Sequence, residues 1–153
     1  MKNNLTIHDV ELTYKKTQLP TEKITHSQDA AEIARKAIPE NQIAHREFFG
    51  ILLLNRANRV LQKSIVSTGG LNSTVVDPKH ILQYILLSNA AGIVLFHNHP
   101  SGEVNPSEPD VKLTKRIKDA CLLLDVNLLD HVIIAGFADA QPNYFSFADG
   151  GLI

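Results

Sequence analysis

Cysteine occurs once in the sequence, as Cys121, and tryptophan not at all. A lone thiol excludes an intramolecular disulfide and any zinc site built from several cysteines. Its neighbours Ala120, Leu122, Leu123 and Leu124 predict the buried side of a helix, so a packed thiol is expected rather than a reactive one. A dominant sign of charge is also missing. Lysine and arginine number 15 against 16 acidic residues, for a net charge of −1. Sequence-independent nucleic-acid binding depends on basic side chains that neutralise phosphates, so charge lends a nucleic-acid partner no support. The nearest thing to a basic cluster is Lys112, Lys115, Arg116 and Lys118, which helical spacing spreads over one solvated face. No apolar run reaches the roughly 18 residues of a membrane span. No hydrophobic stretch with a small-residue cleavage site follows Met1-Lys2-Asn3-Asn4, so a cytoplasmic chain without a membrane partner is expected.

What is present is an ordinary globular composition, 44% hydrophobic and 20% charged over 153 residues, enough for one domain with a real core. Weak alternation predicts a strand or strand pair over 4–15, with Leu5, Ile7, Leu12 and Tyr14 apolar. Ser27 is the expected N-cap of a helix over 28–37 that ends ahead of Pro39. Two apolar runs, 46–55 and 60–67, flank a short polar turn and predict a hairpin in the middle of a sheet. A Gly69-Gly70 loop leads to a helix over 79–90, with Ile81, Leu82, Ile85 and Leu86 at helical spacing. Residues 92–96 are wholly apolar, as in a strand buried on both faces. A helix over 108–124 and strands over 126–135 and 144–147 complete the pattern. Alternating helices and strands predict an α/β fold, a mixed central sheet flanked by helices in two or three layers.

The chemistry is concentrated in one stretch, from Phe96 through His97, Asn98, His99, Pro100 and Gly102 to Pro106, Ser107 and Asp110. Positions i and i+2 of extended backbone share a face, so His97 and His99 can present both imidazoles to one point. Pro100 stops the ladder and Gly102 allows the chain to double back. Ser107 reads as the N-cap of the next helix, which puts Asp110 in its first turn, close to the strand end. Two histidines and a carboxylate with an open fourth position are the donor set of a catalytic zinc. Taken singly, each piece has a plainer reading: Ser107-x-x-Asp110 is an ordinary capping box, and a lone His-x-His is commonly a pair of polar side chains facing solvent or each other. Their joint occurrence favours metal.

His97-x-His99, seven residues, then Ser107-x-x-Asp110 is similar to the signature of the JAMM (MPN-type) metalloproteases. The fuller string His97-Asn98-His99-Pro100-Ser101-Gly102 with Pro106-Ser107 resembles the bacterial RadC-like branch of that family. The likeness extends upstream through Glu47-Phe48-Phe49-Gly50-Ile51-Leu52-Leu53-Leu54-Asn55 and downstream through Asp130-His131-Val132-Ile133-Ile134, and so covers roughly residues 27–147. It implies a JAMM/MPN-like, cytidine-deaminase-like three-layer sandwich, with residues 1–153 forming one such domain; RadC-like proteins often carry an N-terminal helix-hairpin-helix segment associated with DNA binding, and here, as a departure from the family, none is expected. The likeness further implies one Zn²⁺ per chain on His97, His99 and Asp110, and Glu47 as the catalytic glutamate, a general base for the attacking water. Ser107 stands where the family keeps a serine that helps hold the oxyanion. The residues alone would not single out Glu47 from Glu40 or Glu103. Lys79 follows Pro78 where the family tends to have arginine, and lysine lacks the bidentate fork.

Asn98 alternates away from the ligands, which suits fixing the loop. Asp130 and His131 fit either support of the metal ligands or a polar strand pair. His8, His26, His45 and His80 lie outside the motif and read as ordinary polar residues. The resemblance implies a hydrolase of amide or isopeptide bonds with a protein or peptide substrate. The alternative is a DNA-repair-associated accessory protein with little or no catalytic activity. Nuclease chemistry on the letters His-Asn-His needs its residues spread over a longer ββα element, and a zinc deaminase needs a Pro-Cys-x-x-Cys that one cysteine cannot supply.

Overall fold

The computed structural model describes residues 22–69 and 76–153. The strand expected over 4–15 falls outside them. Among the described residues the order is α1 (Ser27–Ala37), β1 (Phe48–Leu54), β2 (Val60–Thr68), α2 (Pro78–Ser88), β3 (Gly92–His99), α3 (Glu108–Leu122), β4 (Asn127–Ala135) and β5 (Tyr144–Ser146). The strands form one mixed sheet in the order β2-β1-β3-β4-β5. β3 and β4 run parallel, joined across α3, and the other neighbours are antiparallel.

Alternation along the central strands builds a separate core on each face. Leu52, Leu54, Val94, Phe96, Val132 and Ile134 pack against Ala30, Ile33 and Ala34 of α1. Phe49, Ile51, Leu53, Ile93 and Leu95 pack on the opposite face, against Ile81 and Ile85 of α2 and Ile117 and Cys121 of α3. The architecture is therefore the expected α/β fold, a mixed sheet flanked by helices, in three layers. β1 and the Gly92–Phe96 part of β3 read as unbroken apolar runs because both of their faces are covered. Cys121 is fully buried, and burial pushes its thiol up to about 11, so it is a packed and unreactive side chain.

Three local expectations are corrected. The β1–β2 hairpin forms, but among the described residues only β1 is interior; β2 is the edge strand. Its exposed Gln62 and Lys63 suit a position with one open side. Ser27 is the first helical residue and not the cap, because the Asp29 carboxylate reaches back to the His26 N–H at 3.0 Å and shifts the cap one residue upstream. β3 runs on past Phe96, since His97, Asn98 and His99 continue the ladder opposite Ile133, Ile134 and Ala135 of β4. Both histidines of the motif therefore sit in regular strand.

Candidate metal centre

The end of β3 presents two different surfaces. Asn98 faces the α1 side and is buried. Its Oδ1 accepts from the Phe48 N–H at 2.8 Å, and its Nδ2 donates to the carbonyls of Ile43 at 2.7 Å and Arg46 at 2.9 Å. One side chain thus satisfies three main-chain groups on either side of Glu47, a buried polar group with its bonding fully used. Glu47 is half-buried at the entrance to β1, and its carbonyl accepts from the Gly69 N–H at 2.9 Å. Phe49 pairs with His97 in the antiparallel ladder, and Glu47 stands two residues before it, just ahead of β1.

His97 and His99 alternate to the other face, as their spacing predicts. Beyond Pro100 the chain turns at Gly102, whose φ of +86° is natural only to glycine, and its N–H donates to the His99 carbonyl at 3.0 Å. Val104 is buried with Ile133, Ala135 and Phe147 and pins the returning loop to the sheet. α3 then starts on Ser107. The Ser107 oxygen accepts from the Asp110 N–H at 3.3 Å, and the Asp110 Oδ2 accepts from the Ser107 N–H at 2.8 Å and its hydroxyl at 2.6 Å. This reciprocal cap holds the carboxylate over the strand end. Asp110 Oδ1 lies 3.5 Å from His97 Nε2, Asp110 Oδ2 lies 3.9 Å from His99 Nε2, and the two ring nitrogens are 3.0 Å apart. One ligand atom from each residue falls within 4.8 Å of the others.

The proton inventory shows what this cluster suits. His99 Nδ1 lies 2.5 Å from the carbonyl of Glu103, which can only accept, so neutral His99 carries its hydrogen on Nδ1 and has a bare Nε2. His97 is wholly buried, and burial pushes its pKa down to about 4 against the opposing pull of Asp110. Its Nδ1 is engaged elsewhere, so Nε2 is the atom turned to the cluster. Two ring nitrogens and a carboxylate facing one another at these distances are an arrangement that a cation between them would satisfy. Two imidazole nitrogens and a carboxylate oxygen, with no thiolate, fit an ion that accepts mixed nitrogen and oxygen donors.

Behind the cluster, His97 Nδ1 lies 2.8 Å from His131 Nε2, and His131 Nδ1 lies 2.6 Å from the Thr114 hydroxyl. Phe49 stacks on His97 and Phe147 on His131, closing this side to water. The adjacent Asp130 points the other way. It accepts from the His131 and Ala148 N–H groups at 2.7 and 3.0 Å and from the Ser146 hydroxyl at 2.6 Å, and burial raises its pKa against these bonds. Of the Asp130-His131 pair, only His131 touches the cluster, through His97; Asp130 ties down the chain after β5. Sequence reasoning missed Thr114, although its i+4 spacing from Asp110 on α3 was a usable signal. His26 caps α1, His45 is exposed in the turn before β1, and the His80 ring lies against Tyr84, all outside the cluster. His8 is outside the described residues.

The RadC-like JAB domain family matches residues 24–152. A UPF0758 protein of Flavobacterium johnsoniae is 43% identical over 134 residues, covering 88% of this chain and 55% of the relative. UPF0758 proteins of Coprothermobacter proteolyticus and Staphylococcus aureus are 42% and 44% identical, each covering 73% of this chain and 48% of its own length. The chain spans about half the length of the curated relatives it matches. No helix among the described residues is long and apolar enough to cross a membrane.

Proposed function

We propose, from the premise that the chain belongs to the RadC-like JAB domain family, that it is a zinc-dependent hydrolase of amide or isopeptide bonds in a protein or peptide substrate. His97, His99 and Asp110 hold one zinc ion, Glu47 is the general base, and Ser107 assists at the oxyanion. The observation that carries this reading is the convergence of two imidazole nitrogens and a carboxylate at the end of a buried strand. When bound, zinc supplies Lewis acidity, polarising a carbonyl oxygen and lowering the pKa of its water toward about 7.

The side chains divide the remaining work. His99 turns Nε2 inward because its Nδ1 donates to the Glu103 carbonyl, His97 turns its own Nε2 to the same point, and the Ser107 cap keeps Asp110 aimed at them. Glu47, held at the mouth of β1 by the Asn98 bonds to its neighbours, takes a proton from the attacking water and returns it to the leaving amine nitrogen. The Ser107 hydroxyl donates to Asp110 in the resting protein; turned away from it, the same O–H becomes a donor to the oxyanion.

Metal content by plasma mass spectrometry, together with cleavage of fluorogenic isopeptide-linked and linear peptides, tests the reading. Wild type should carry about one zinc per chain, as one such donor set binds one ion, and His97→Ala should lose it. Glu47→Gln should keep the zinc while turnover falls by roughly 10²–10⁴-fold. Equal zinc in wild type and His97→Ala sinks the ligand assignment. Turnover unchanged in Glu47→Gln shows that another group is the base, whereas no turnover in wild type returns the chain to an accessory role.

A further inference from the structure

We propose that Thr114 and His131 form a buried lock on the tautomer of His97, placing its one hydrogen on Nδ1 so that Nε2 is presented bare to the metal. The proposal rests on the metal-site reading above, and it assigns His131 and Thr114 as positioning residues.

The direction of every bond in this chain follows from its first member. A threonine hydroxyl has one hydrogen to give and lone pairs with which to accept. The Thr114 oxygen lies 2.6 Å from the Asp110 main-chain carbonyl and 2.6 Å from His131 Nδ1. A carbonyl cannot donate, so the hydroxyl hydrogen goes to Asp110, one helical turn back. The oxygen therefore accepts from His131, and Nδ1 of His131 must carry hydrogen. The His131 ring is completely buried between the Phe49 and Phe147 rings, an apolar setting that suits the uncharged imidazole with a single N–H. Its Nε2 is consequently bare and can only accept, from His97 Nδ1 at 2.8 Å. That fixes the His97 hydrogen on Nδ1 and leaves Nε2 without one, on the side where His99 and Asp110 converge.

Two features make this more than packing. Thr114 is 1% exposed and His97 and His131 are fully buried, so no solvent molecule can replace a missing partner or reverse a bond. The chain also starts on the main chain of Asp110, whose carboxylate faces the same cluster, so the two sides of the site are set by one helical turn. With the Thr114 hydroxyl gone, His131 is free to carry its hydrogen on Nε2. It would then donate to His97 and force that hydrogen onto the Nε2 the metal needs.

The test combines nitrogen-15 correlation spectra of the histidine rings in the metal-free protein with zinc affinity measured against a chromophoric chelator. In wild type both His97 and His131 should show Nδ1–H and a bare Nε2; an Nε2–H on either ring overturns the lock. Thr114→Val is nearly isosteric and should weaken zinc binding by roughly 10–100-fold, the usual effect of losing a group that orients a ligand. Its His131 resonances should shift toward the other tautomer, while Thr114→Ser, which restores the hydroxyl, should stay within about threefold of wild type. Zinc bound equally by wild type, Thr114→Val and Thr114→Ser, with ring spectra unchanged, overturns the lock and leaves the metal site standing. Absence of zinc binding in wild type removes the metal reading instead, and the ring spectra then decide the tautomer assignment by themselves.

Discussion

Two helices of this protein begin with the same local device and put it to different use. α1 starts on His26 with Asp29 three residues later, and α3 starts on Ser107 with Asp110 three residues later. In each, the carboxylate reaches back to the N–H of its cap, and a histidine nitrogen stands close by, 3.8 Å from Asp29 and 3.5 Å from Asp110. At α1 that histidine is the cap itself and 81% exposed, whereas at α3 it comes from a central strand and is 0% exposed. All three bonds to Asp29 come from Thr25 and His26, within one turn of chain. Asp110 spends Oδ2 on its cap and points Oδ1 at a residue of another element. A capping box is thus a local solution to unpaired helix N–H groups. It becomes part of a candidate site when sheet topology brings a buried lone pair to face it.

The most severe way to break this comparison is to give both caps the same change. Asp110→Asn keeps a side-chain oxygen for the Ser107 N–H but removes the charge, so zinc affinity should fall by at least about a hundredfold. Asp29→Asn should leave zinc affinity where it was. Calorimetric zinc titration of the two variants decides the matter, and an equal loss in both would mean that net charge, not the cluster, governs binding.

The same contrast explains what the sequence could and could not reveal. His97-x-His99 on extended backbone and Ser107-x-x-Asp110 at a helix start are periodic, short-range features, and each side chain lies where its spacing put it. The three-layer sandwich was legible for a similar reason: runs such as Phe48–Leu54 and Gly92–Phe96 are apolar throughout, and only a sheet covered on both faces accepts them. What depended on tertiary pairing was not legible. Asp130 and His131 are adjacent, and nothing local says which of two opposite faces holds the His97, His99 and Asp110 cluster. The edge position of β2 depends on which strand β3 chose as neighbour. The extension of β3 through His99 depends on β4 offering Ile133, Ile134 and Ala135 as partners. The His26 cap was missed because histidine is an uncommon cap, and Asp29 with Thr25 does most of the bonding.

A second, smaller effect sharpens the comparison at β3, whose residues alternate between the two sides, Asn98 toward α1 and His97 and His99 toward Asp110 of α3. Asn98→Ala strips partners from the Phe48 N–H and from the Ile43 and Arg46 carbonyls. Each buried group left unpaired costs about 1–3 kcal/mol, with relief where water reaches the exposed Arg46, so a total on the order of 3 kcal/mol is expected in urea unfolding. Asn98→Asp should be no better, because a carboxylate cannot donate to the two carbonyls. A loss under about 1 kcal/mol would show that the turn before β1 holds itself in place without this clamp.

The smallest effect belongs to the purely local cap. The Thr25 hydroxyl at 2.7 Å, then the Thr25 N–H at 2.8 Å and the His26 N–H at 3.0 Å, hold Asp29 below the usual carboxylate range, from 3.8 to about 2. A carboxyl pKa that is lower in the folded protein means the folded state binds this proton less readily than the unfolded chain. The stabilisation is therefore complete above about pH 4, shrinks as pH falls, and is gone below about pH 2. Because the group is solvent-exposed, the effect is modest and screened by salt. Melting temperature followed by circular dichroism from pH 5 to pH 2 should fall less steeply in Asp29→Asn than in wild type, with parallel curves above pH 5. Identical acid limbs would mean that His26 and Thr25 organise the start of α1 without the charge. The resemblance between the two caps would then stop at their spacing.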